Sequence, residues 1–259
     1  MNFSTIESIL DDIRNGKPVI VIDNEDRENE GDLVIASELT TPEIINFMAK
    51  EGRGLICVSL TENRAEELDL KAMEMKHSGI HKTNFTVSVD AKENISTGIS
   101  AFDRSVTIRT LISDKTTSKD LSRPGHVFPI IGKNGGVLRR AGHTEASIDL
   151  AILAGLKPSG VICEIMADDG TMASGDELQQ FADKHRLKII SISALIKHLR
   201  KERDLVKKIE SVKLPTENGQ FDLHLYEGLY DGKTHIALTK GDYLANESVL
   251  VRVHSECLT

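Results

Sequence analysis

Short apolar runs alternate with amphipathic segments as far as residue 205, and this alternation predicts a layered α/β or α+β domain. The runs PVIVI, GLICVSL and GVICEIM are short and apolar, which is typical of buried strands. FTVSVD alternates as a half-buried strand does, and LKIISI indicates a further strand.

Helical spacing and capping residues predict helices between these runs. The predicted helices are one that begins near Thr5 and ends before Gly16, one that begins at Thr41, and residues 143–155, 176–186 and 193–208. The pattern in residues 100–113 is ambiguous, and we interpret it as a helix. Residues 122–130 contain two prolines and a glycine, which predicts a loop or an edge segment.

The composition changes after residue 205. FDLHLY, HIALT and VLVRVH are short alternating runs separated by Gly, Asp and Asn, which favours β-hairpins. The sequence therefore predicts two parts, a domain of residues 1–205 and a β-rich segment of residues 206–259 that is too short for a complete domain.

Charge and cysteine content exclude several classes of protein. The chain has 259 residues and a formal net charge of -8, without the basic patch that nucleic-acid binding requires. Its three cysteines are far apart, which favours a reducing compartment over a disulfide framework. No apolar run is long enough to span a membrane. We therefore expect a cytoplasmic protein with neither a nucleic-acid nor a membrane partner.

The stretch DNEDRENEGD places six carboxylates in a predicted loop directly after the apolar run PVIVI. Ligands of open α/β sheets bind outside the carboxyl ends of strands. Carboxylates clustered there are oxygen ligands of the kind that Mg²⁺ prefers. A solvated acidic turn is the alternative interpretation.

The segment RRAGHTEASIDL places arginines directly before a predicted helix start. Free N–H groups and the helix dipole make such a start a binding site for anions such as phosphate. His143 is a candidate metal ligand or acid/base, although a capped helix with two surface arginines would look the same in sequence.

Two further residues are candidates for proton transfer. Glu164 interrupts GVICEIM, where a buried strand of parallel type is expected to be continuously apolar. A buried carboxylate is a candidate general base, and an outward-facing edge residue is the alternative. His126 lies between glycine and valine in a segment rich in proline. Together these features suggest metal-assisted proton transfer on a small phosphorylated metabolite.

Four long motifs resemble 3,4-dihydroxy-2-butanone 4-phosphate synthase, and the resemblance as a whole extends over roughly residues 1–205. They are IDNEDRENEGDLVIASE, RPGHVFPI, GGVLRRAGHTEASIDLAILAG and CEIMADDGTMA. The resemblance implies a three-layer α/β/α fold with a mixed sheet. It also implies a homodimer with active sites near the subunit interface, and conversion of D-ribulose 5-phosphate to L-3,4-dihydroxy-2-butanone 4-phosphate and formate.

The resemblance also implies roles for individual residues. Glu28 and His143 match the ligands of two Mg²⁺ ions, and we expect Mn²⁺ to substitute because one ligand is an imidazole. Asp32, His126 and Glu164 match catalytic positions. The substrate-binding positions are Arg27, Glu28, Asp32, Arg140, Ala141, Gly142, His143, Thr144 and Glu164.

The tail resembles the start of GTP cyclohydrolase II through VKLPTENGQFDLHLY, HIALTKGD and VLVRVHSECLT. That family uses a zinc site of three cysteines, of which only Cys257 has a counterpart here. We therefore expect no zinc binding and no cyclohydrolase activity from this chain. A catalytically silent scaffold or regulatory homologue, and a different sugar-phosphate isomerase or aldolase, are the alternatives to the synthase.

Overall fold

The structure, a computed structural model, describes residues 1–24, 29–73, 83–241 and 248–255. The chain divides into two compact units, Met1–Glu202 and Arg203–Thr259. The helices of the first unit are α1 (Ile6–Arg14), α2 (Pro42–Phe47), α3 (Glu62–Glu67), α4 (Ala101–Ile112), α5 (His143–Leu153), α6 (Gly175–His185) and α7 (Ile192–Glu202). Its strands are β1 (Val19–Ile22), β2 (Gly31–Ala36), β3 (Cys57–Leu60), β4 (Val89–Ala91), β5 (Leu121–Ile131), β6 (Gly160–Glu164) and β7 (Ile189–Ser191).

Across the described part of the first unit, these strands form one sheet of seven in the order β4-β5-β3-β6-β2-β1-β7. β1 pairs with β7, and β3 with β5, in parallel. The remaining neighbours are antiparallel. The sheet is therefore mixed, as the family resemblance implied.

Both faces of the sheet are covered by helices because alternate side chains of each strand enter different cores. Ile20 and Ile22 of β1 belong to a core with residues of α2, α3, α4 and α6. Val19 and Val21 belong to the opposite core, with residues of α1, α5 and α7. Full burial of each such side chain contributes roughly 1.5–3 kcal/mol. The three-layer α/β/α architecture within the α+β class is thus confirmed.

Two expectations about strands were wrong. The acidic stretch was expected to be a loop throughout, but Gly31 and Asp32 open strand β2, whose six residues are all buried. Residues 122–130 were expected to be a loop or an edge, but they belong to β5, which lies between β4 and β3. β5 accommodates Pro124 because residues 123–126 lie in an irregularity of its pairing with β4, where Asp90 and Val89 pair with Ser122 and Val127.

The direction of one strand and the end of one helix also differ from expectation. β6 is not a parallel strand, since it is antiparallel to both β2 and β3. Helix α7 ends at Glu202 rather than near Lys208, because residues from Val206 onward form a strand. The ambiguous segment 100–113 is a helix, α4, with Ser100 as its N-cap.

The second unit is a sheet of three antiparallel strands in the described residues, in the order β10-β9-β8. They are β8 (Val206–Thr216), β9 (Gly219–Gly228) and β10 (Thr234–Thr239). FDLHLY and HIALT therefore form strands as predicted, in β9 and β10, whereas VLVRVH, the third predicted run, is not a strand in the structure. Among the helices of the described ranges, none has the length and apolar character needed to cross a membrane.

Candidate active site

A cavity of about 400 Å³ in the first unit gathers most of the predicted site residues that the structure describes. It opens where β1 ends, β2 begins and β6 ends, so several polar side chains converge at one edge of the sheet. Its lining consists of Glu30, Asp32, Thr83, Phe85, Ile130, Arg140, His143, Thr144, Ile162 and Glu164.

Asp32 and Glu164 face each other across two neighbouring strands. They are directly paired in the antiparallel register of β2 and β6, which places their side chains on the same face of the sheet. Asp32 is buried, and Glu164 is half-buried. Two carboxylates that share a cavity wall are costly unless positive charge enters between them or a proton is shared.

The strand pairing continues at the base of the acidic stretch. Asp23 follows β1, and its Oδ1 accepts a hydrogen bond of 3.0 Å from the backbone N–H of Glu30. This bond closes the connection between β1 and β2, and it thereby helps to fix the position of Asp32 near the start of β2. Arg27 and Glu28, predicted to bind substrate and metal, lie outside the described residues.

Backbone on the neighbouring loop holds the carboxylate of Glu164. The N–H of Leu55 donates to Glu164 Oε2 at 2.8 Å. Gly54 lies so close that a Cβ there would be 2.5 Å from the carbonyl oxygen of Glu164 and 2.6 Å from its Oε2. The loop follows a π-helical turn, residues 48–52, and Arg53 in the left-handed conformation, with φ 69°. Arg53 donates to Ala167 O at 3.0 Å and to Asp168 at 2.7 Å, and these bonds tie the loop to the segment after β6.

Helix α5 brings its first turn to the cavity. His143 and Thr144 are buried at the helix start, which follows the extended residue Gly142. The Nδ1 atom of His143 is 3.9 Å from Asp32 Oδ1, so the imidazole lies beside the carboxylate pair. Ala141 and Gly142 connect Arg140 to this turn, and a Cβ at Gly142 would collide with the Arg140 guanidinium.

Arg140 is held in a defined orientation by a buried carboxylate. Its Nη1 donates to Glu145 Oε2 at 2.7 Å, and its Nη2 donates to Thr83 Oγ1 at 3.1 Å. Glu145 is 1% exposed and also accepts from the backbone N–H of Lys133 at 3.0 Å. A guanidinium fixed at the N-terminus of a helix is suited to bind a phosphate.

His126 does not line this cavity. It lies on β5, and its ring Nδ1 is 2.7 Å from Asp90 Oδ2. The His126 side chain is 41% exposed, whereas that of Asp90 is 10% exposed. Within one chain, the structure therefore places together Asp32, Glu164, His143, Thr144 and Arg140, and it places His126 elsewhere.

The described donors fit only part of a divalent-cation site. Glu30, Asp32 and Glu164 offer oxygen donors suited to Mg²⁺, and the His143 imidazole is acceptable to Mn²⁺. In the described ranges no group of three or more His, Cys, Asp or Glu side chains is arranged to hold a metal ion. Glu28, the predicted second ligand, lies outside those ranges, so its pairing with His143 stays a prediction.

Sequence reasoning missed the residues that hold the predicted ones in place. These are Gly54 and Leu55 at Glu164, Glu145 at Arg140, and Asp90 at His126. Glu145 carried a usable signal, because it is one of two carboxylates, with Asp149, in a helix whose other residues are mostly apolar. The contacts of Gly54 and Leu55 depend on long-range packing, which no local pattern records.

The two cysteines of the described residues are unsuited to nucleophilic chemistry. Cys57 and Cys163 are free and buried. Burial, together with the neighbouring carboxylates of Glu164 and Asp32, raises the pKa of the Cys163 thiol to about 12. Burial also raises the pKa of the Cys57 thiol. Cys257, the predicted partial zinc ligand, lies outside the described residues, so the expectation of an incomplete zinc site is not tested.

Comparison with protein families finds two matches along the chain. Residues 7–198 match the family described as 3,4-dihydroxy-2-butanone 4-phosphate synthase. Residues 207–259 match the family described as GTP cyclohydrolase II. The riboflavin biosynthesis protein RibBA of Aquifex aeolicus is 57% identical over 99% of this chain, and the match spans 64% of that protein. The chain thus spans less than two thirds of the length of this relative.

Two solved structures share the fold. RibBX from A. baumannii, a two-domain 3,4-dihydroxy-2-butanone 4-phosphate synthase, has a TM-score of 0.86 and 45% identity, covering 92% of this chain and 70% of its own. A 3,4-dihydroxy-2-butanone 4-phosphate synthase in complex with two magnesium ions has a TM-score of 0.73 and 40% identity, covering 77% of this chain and 98% of its own.

Proposed function

Because the chain belongs to the 3,4-dihydroxy-2-butanone 4-phosphate synthase family, we propose that residues 1–205 convert D-ribulose 5-phosphate to L-3,4-dihydroxy-2-butanone 4-phosphate and formate. The observation that carries this proposal is the cavity in which Asp32 and Glu164 face each other beside His143 and Arg140. The reaction balances without a redox partner, since the four-carbon product and formate together contain all the carbon, hydrogen and oxygen of the substrate, the water lost on dehydration being returned in the hydrolytic step.

The substrate phosphate binds at the start of α5. Arg140 supplies the positive charge, and its bonds to Glu145 and Thr83 hold the guanidinium in place before substrate arrives. The hydroxyl of Thr144 and backbone N–H groups at the start of the helix supply further donors. Anchoring this end directs the ketone end of the sugar towards the carboxylate pair.

The carboxylates carry the proton transfers. One of the pair, Asp32 or Glu164, removes the proton beside the ketone to give an enediolate, and the other returns a proton as water leaves. Leu55 fixes Oε2 of Glu164 through its N–H, so Oε1 is the oxygen better placed to exchange a proton. A carbon shift and hydrolytic release of formate complete the reaction.

We propose that two Mg²⁺ ions serve this site, with Glu28 and His143 as ligands. The proposal is supported by the solved relative that is in complex with two magnesium ions. When bound, the ions supply Lewis-acid polarisation of the ketone and its neighbouring hydroxyl, which acidifies the proton to be removed. His143 is buried beside Asp32, so its imidazole is held in one position.

We further propose a homodimer whose interface brings His126 of one subunit to the cavity of the other. This arrangement is supported by the position of His126, which is half exposed and does not line the cavity of its own chain. Exposed apolar side chains adjoin both regions: Leu55 next to Glu164, and Ile99 and Phe102 after Gly98, which packs on His126.

Formate production tests the synthase. We expect the chain to release formate from ribulose 5-phosphate with Mg²⁺ and to stop on addition of EDTA. Interconversion or cleavage of the sugar without formate would indicate an isomerase or aldolase, and no turnover would indicate a silent homologue. Either result would refute the proposal.

Mixed dimers test the interface. The Glu164→Gln homodimer should be inactive and the His126→Gln homodimer should keep a small but measurable rate, and mixing them should restore about a quarter to a half of the activity, as expected when one site in a dimer regains both residues. A monomeric mass, or the absence of restoration after subunit exchange, would refute the shared site.

A further inference from the structure

We propose that Asp90 is the positioning residue for His126, holding its imidazole as the Nδ1–H tautomer so that Nε2 is the nitrogen that exchanges a proton. The inference rests on the proposed function for its catalytic consequence. Asp90 itself touches neither substrate nor metal, and it acts only through the ring.

The contact has two points and therefore defines an orientation. Asp90 Oδ1 accepts the backbone N–H of His126 at 2.9 Å, and Oδ2 lies 2.7 Å from the ring Nδ1. Ionised carboxylate oxygens only accept hydrogen bonds, so Nδ1 must carry the proton. The same carboxylate thus fixes the main chain and the side chain of one residue.

The conformation of the backbone around His126 makes this contact possible. His126 ends the four-residue irregularity of β5, in which residues 123–126 lie between the partners of Asp90 and Val89. Such bulges re-aim side chains and are frequent beside active sites. Gly125 completes the close approach, since a Cβ there would collide with the backbone of Val89 and Asp90. Its N–H donates to Ser88 Oγ at 3.2 Å.

A second segment closes over the pair. Gly98, with φ +98°, leaves no room for a Cβ against Asp90 and His126. Asp103 holds this segment by accepting from Ser96 N at 3.1 Å, from Ser96 Oγ at 2.7 Å and from Gly98 N at 3.0 Å. The hydrogen bond from the Ser96 side chain lowers the pKa of Asp103 to about 2, so this carboxylate stays ionised at neutral pH.

This support is more than a surface histidine requires for stability. A ring that is 41% exposed gains little stability from packing. The residues around the ring nevertheless include the buried Asp90 and two glycines, Gly98 and Gly125, at which a Cβ would collide with neighbouring atoms. Fixing a tautomer is what a carboxylate does for a histidine that acts as acid or base.

The test uses Asp90→Asn in the full-length chain. The asparagine oxygen can still accept the backbone N–H of His126, but its amide N–H now faces Nδ1 and forces the Nε2–H tautomer. We expect ¹⁵N spectra of labelled histidine to show this exchange, with the His126→Gln spectrum identifying the resonances. We also expect kcat to fall roughly 10²–10⁴-fold with KM changed by less than about threefold.

Asp120→Asn is the matched control, because Asp120 is a hydrogen-bonded carboxylate directly before the same strand, where its side chain accepts from the N–H and hydroxyl of Thr117 in a capping box. It should leave both the His126 tautomer and kcat unchanged. The double variant Asp90→Asn/His126→Gln should be no slower than His126→Gln alone, because a residue that acts through the ring adds nothing once the ring is gone.

An unchanged tautomer in Asp90→Asn would overturn the inference. An exchanged tautomer with wild-type kcat would overturn it as well. Additive losses in the double variant would also overturn it, since they would indicate a general structural role. If the wild-type chain released no formate, the proposed function would fail by itself, and the ¹⁵N measurement would still decide whether Asp90 sets the ring.

Discussion

Replacing Gly54 with alanine should disable the site by displacing Glu164. An ideal Cβ at this position lies 2.5 Å from the Glu164 carbonyl oxygen, 2.6 Å from its Oε2 and 2.7 Å from its backbone nitrogen. Real Cβ atoms do not approach so closely, so either the loop or the end of β6 must move. Two of the three atoms are backbone atoms of a central strand, which leaves little freedom to adjust.

The magnitude has two parts. Overpacking against a rigid neighbour costs typically about 1–3 kcal/mol of stability. Moving the loop also lengthens the bond from Leu55 N to Glu164 Oε2, now 2.8 Å, and a hydrogen bond to a charged group contributes about 1.5–3 kcal/mol. If that bond orients the carboxylate in the transition state, its loss corresponds to roughly a 10–150-fold decrease in kcat.

The assay compares formate release and thermal unfolding for Gly54→Ala and Gly155→Ala. Gly155 ends a helix with φ +79°, and no atom lies within 4 Å of a Cβ there. Alanine at that position costs about 1–2 kcal/mol through its backbone conformation alone. The control should therefore lose stability and keep kcat, whereas Gly54→Ala should lose both.

Wild-type kcat in Gly54→Ala would refute this reasoning, even with a lowered unfolding temperature. It would mean that Glu164 tolerates displacement, and hence that the loop supports only the fold. An equal loss of kcat in both variants would point to destabilisation rather than to the position of the carboxylate.

Four further outcomes are expected. Glu164→Gln should abolish formate release with the unfolding temperature within a few degrees of wild type, as measured by calorimetry; a wild-type rate would remove its role as acid or base. Arg140→Ala should raise KM for ribulose 5-phosphate at least about tenfold, whereas a change in kcat alone would argue against a phosphate contact. Mn²⁺ should support turnover after EDTA treatment, and no activity with Mn²⁺ where Mg²⁺ works would contradict the imidazole argument. Cys57 and Cys163 should resist thiol reagents at pH 8 until the chain unfolds, as peptide mass spectrometry would show; rapid native labelling would contradict their burial. Because the pKa of Cys163 is raised to about 12, its contribution to folding stability is complete below the ordinary thiol pKa and decreases as pH rises towards 12.

Local pattern predicted the strands that are mostly apolar. PVIVI, GVICEIM and LKIISI became β1, β6 and β7, since continuous burial on both faces leaves a strong signal. The start of β2 was not predicted because its first residues belong to a run of charged residues, and such runs are usually exposed to solvent. β5 escaped because its prolines argue against a central strand, and only the pairing irregularity beside Pro124 makes that position compatible.

The site was predictable in its residues but not in its contacts. Asp32 and Glu164 were both named from sequence, yet their direct pairing follows from the register of two strands distant in the chain. Asp90 ended an alternating run and gave no sign of a function. Its role depends on a bulge that forms only when β4 and β5 are paired.

The negative charges that line the cavity explain why positive charge must be supplied from outside it. Glu30, Asp32 and Glu164 line a space that is also to hold a phosphorylated sugar. Arg140, the arginine that lines the cavity in the described part of the chain, is already bonded to the buried Glu145. A pair of like charges 4 Å apart costs about 4 kcal/mol at the effective dielectric near a protein surface. Three carboxylates and a phosphate therefore repel each other by more than one arginine offsets. Divalent cations bound beside His143 would reverse that balance, so the charges of the lining support the proposed metal dependence.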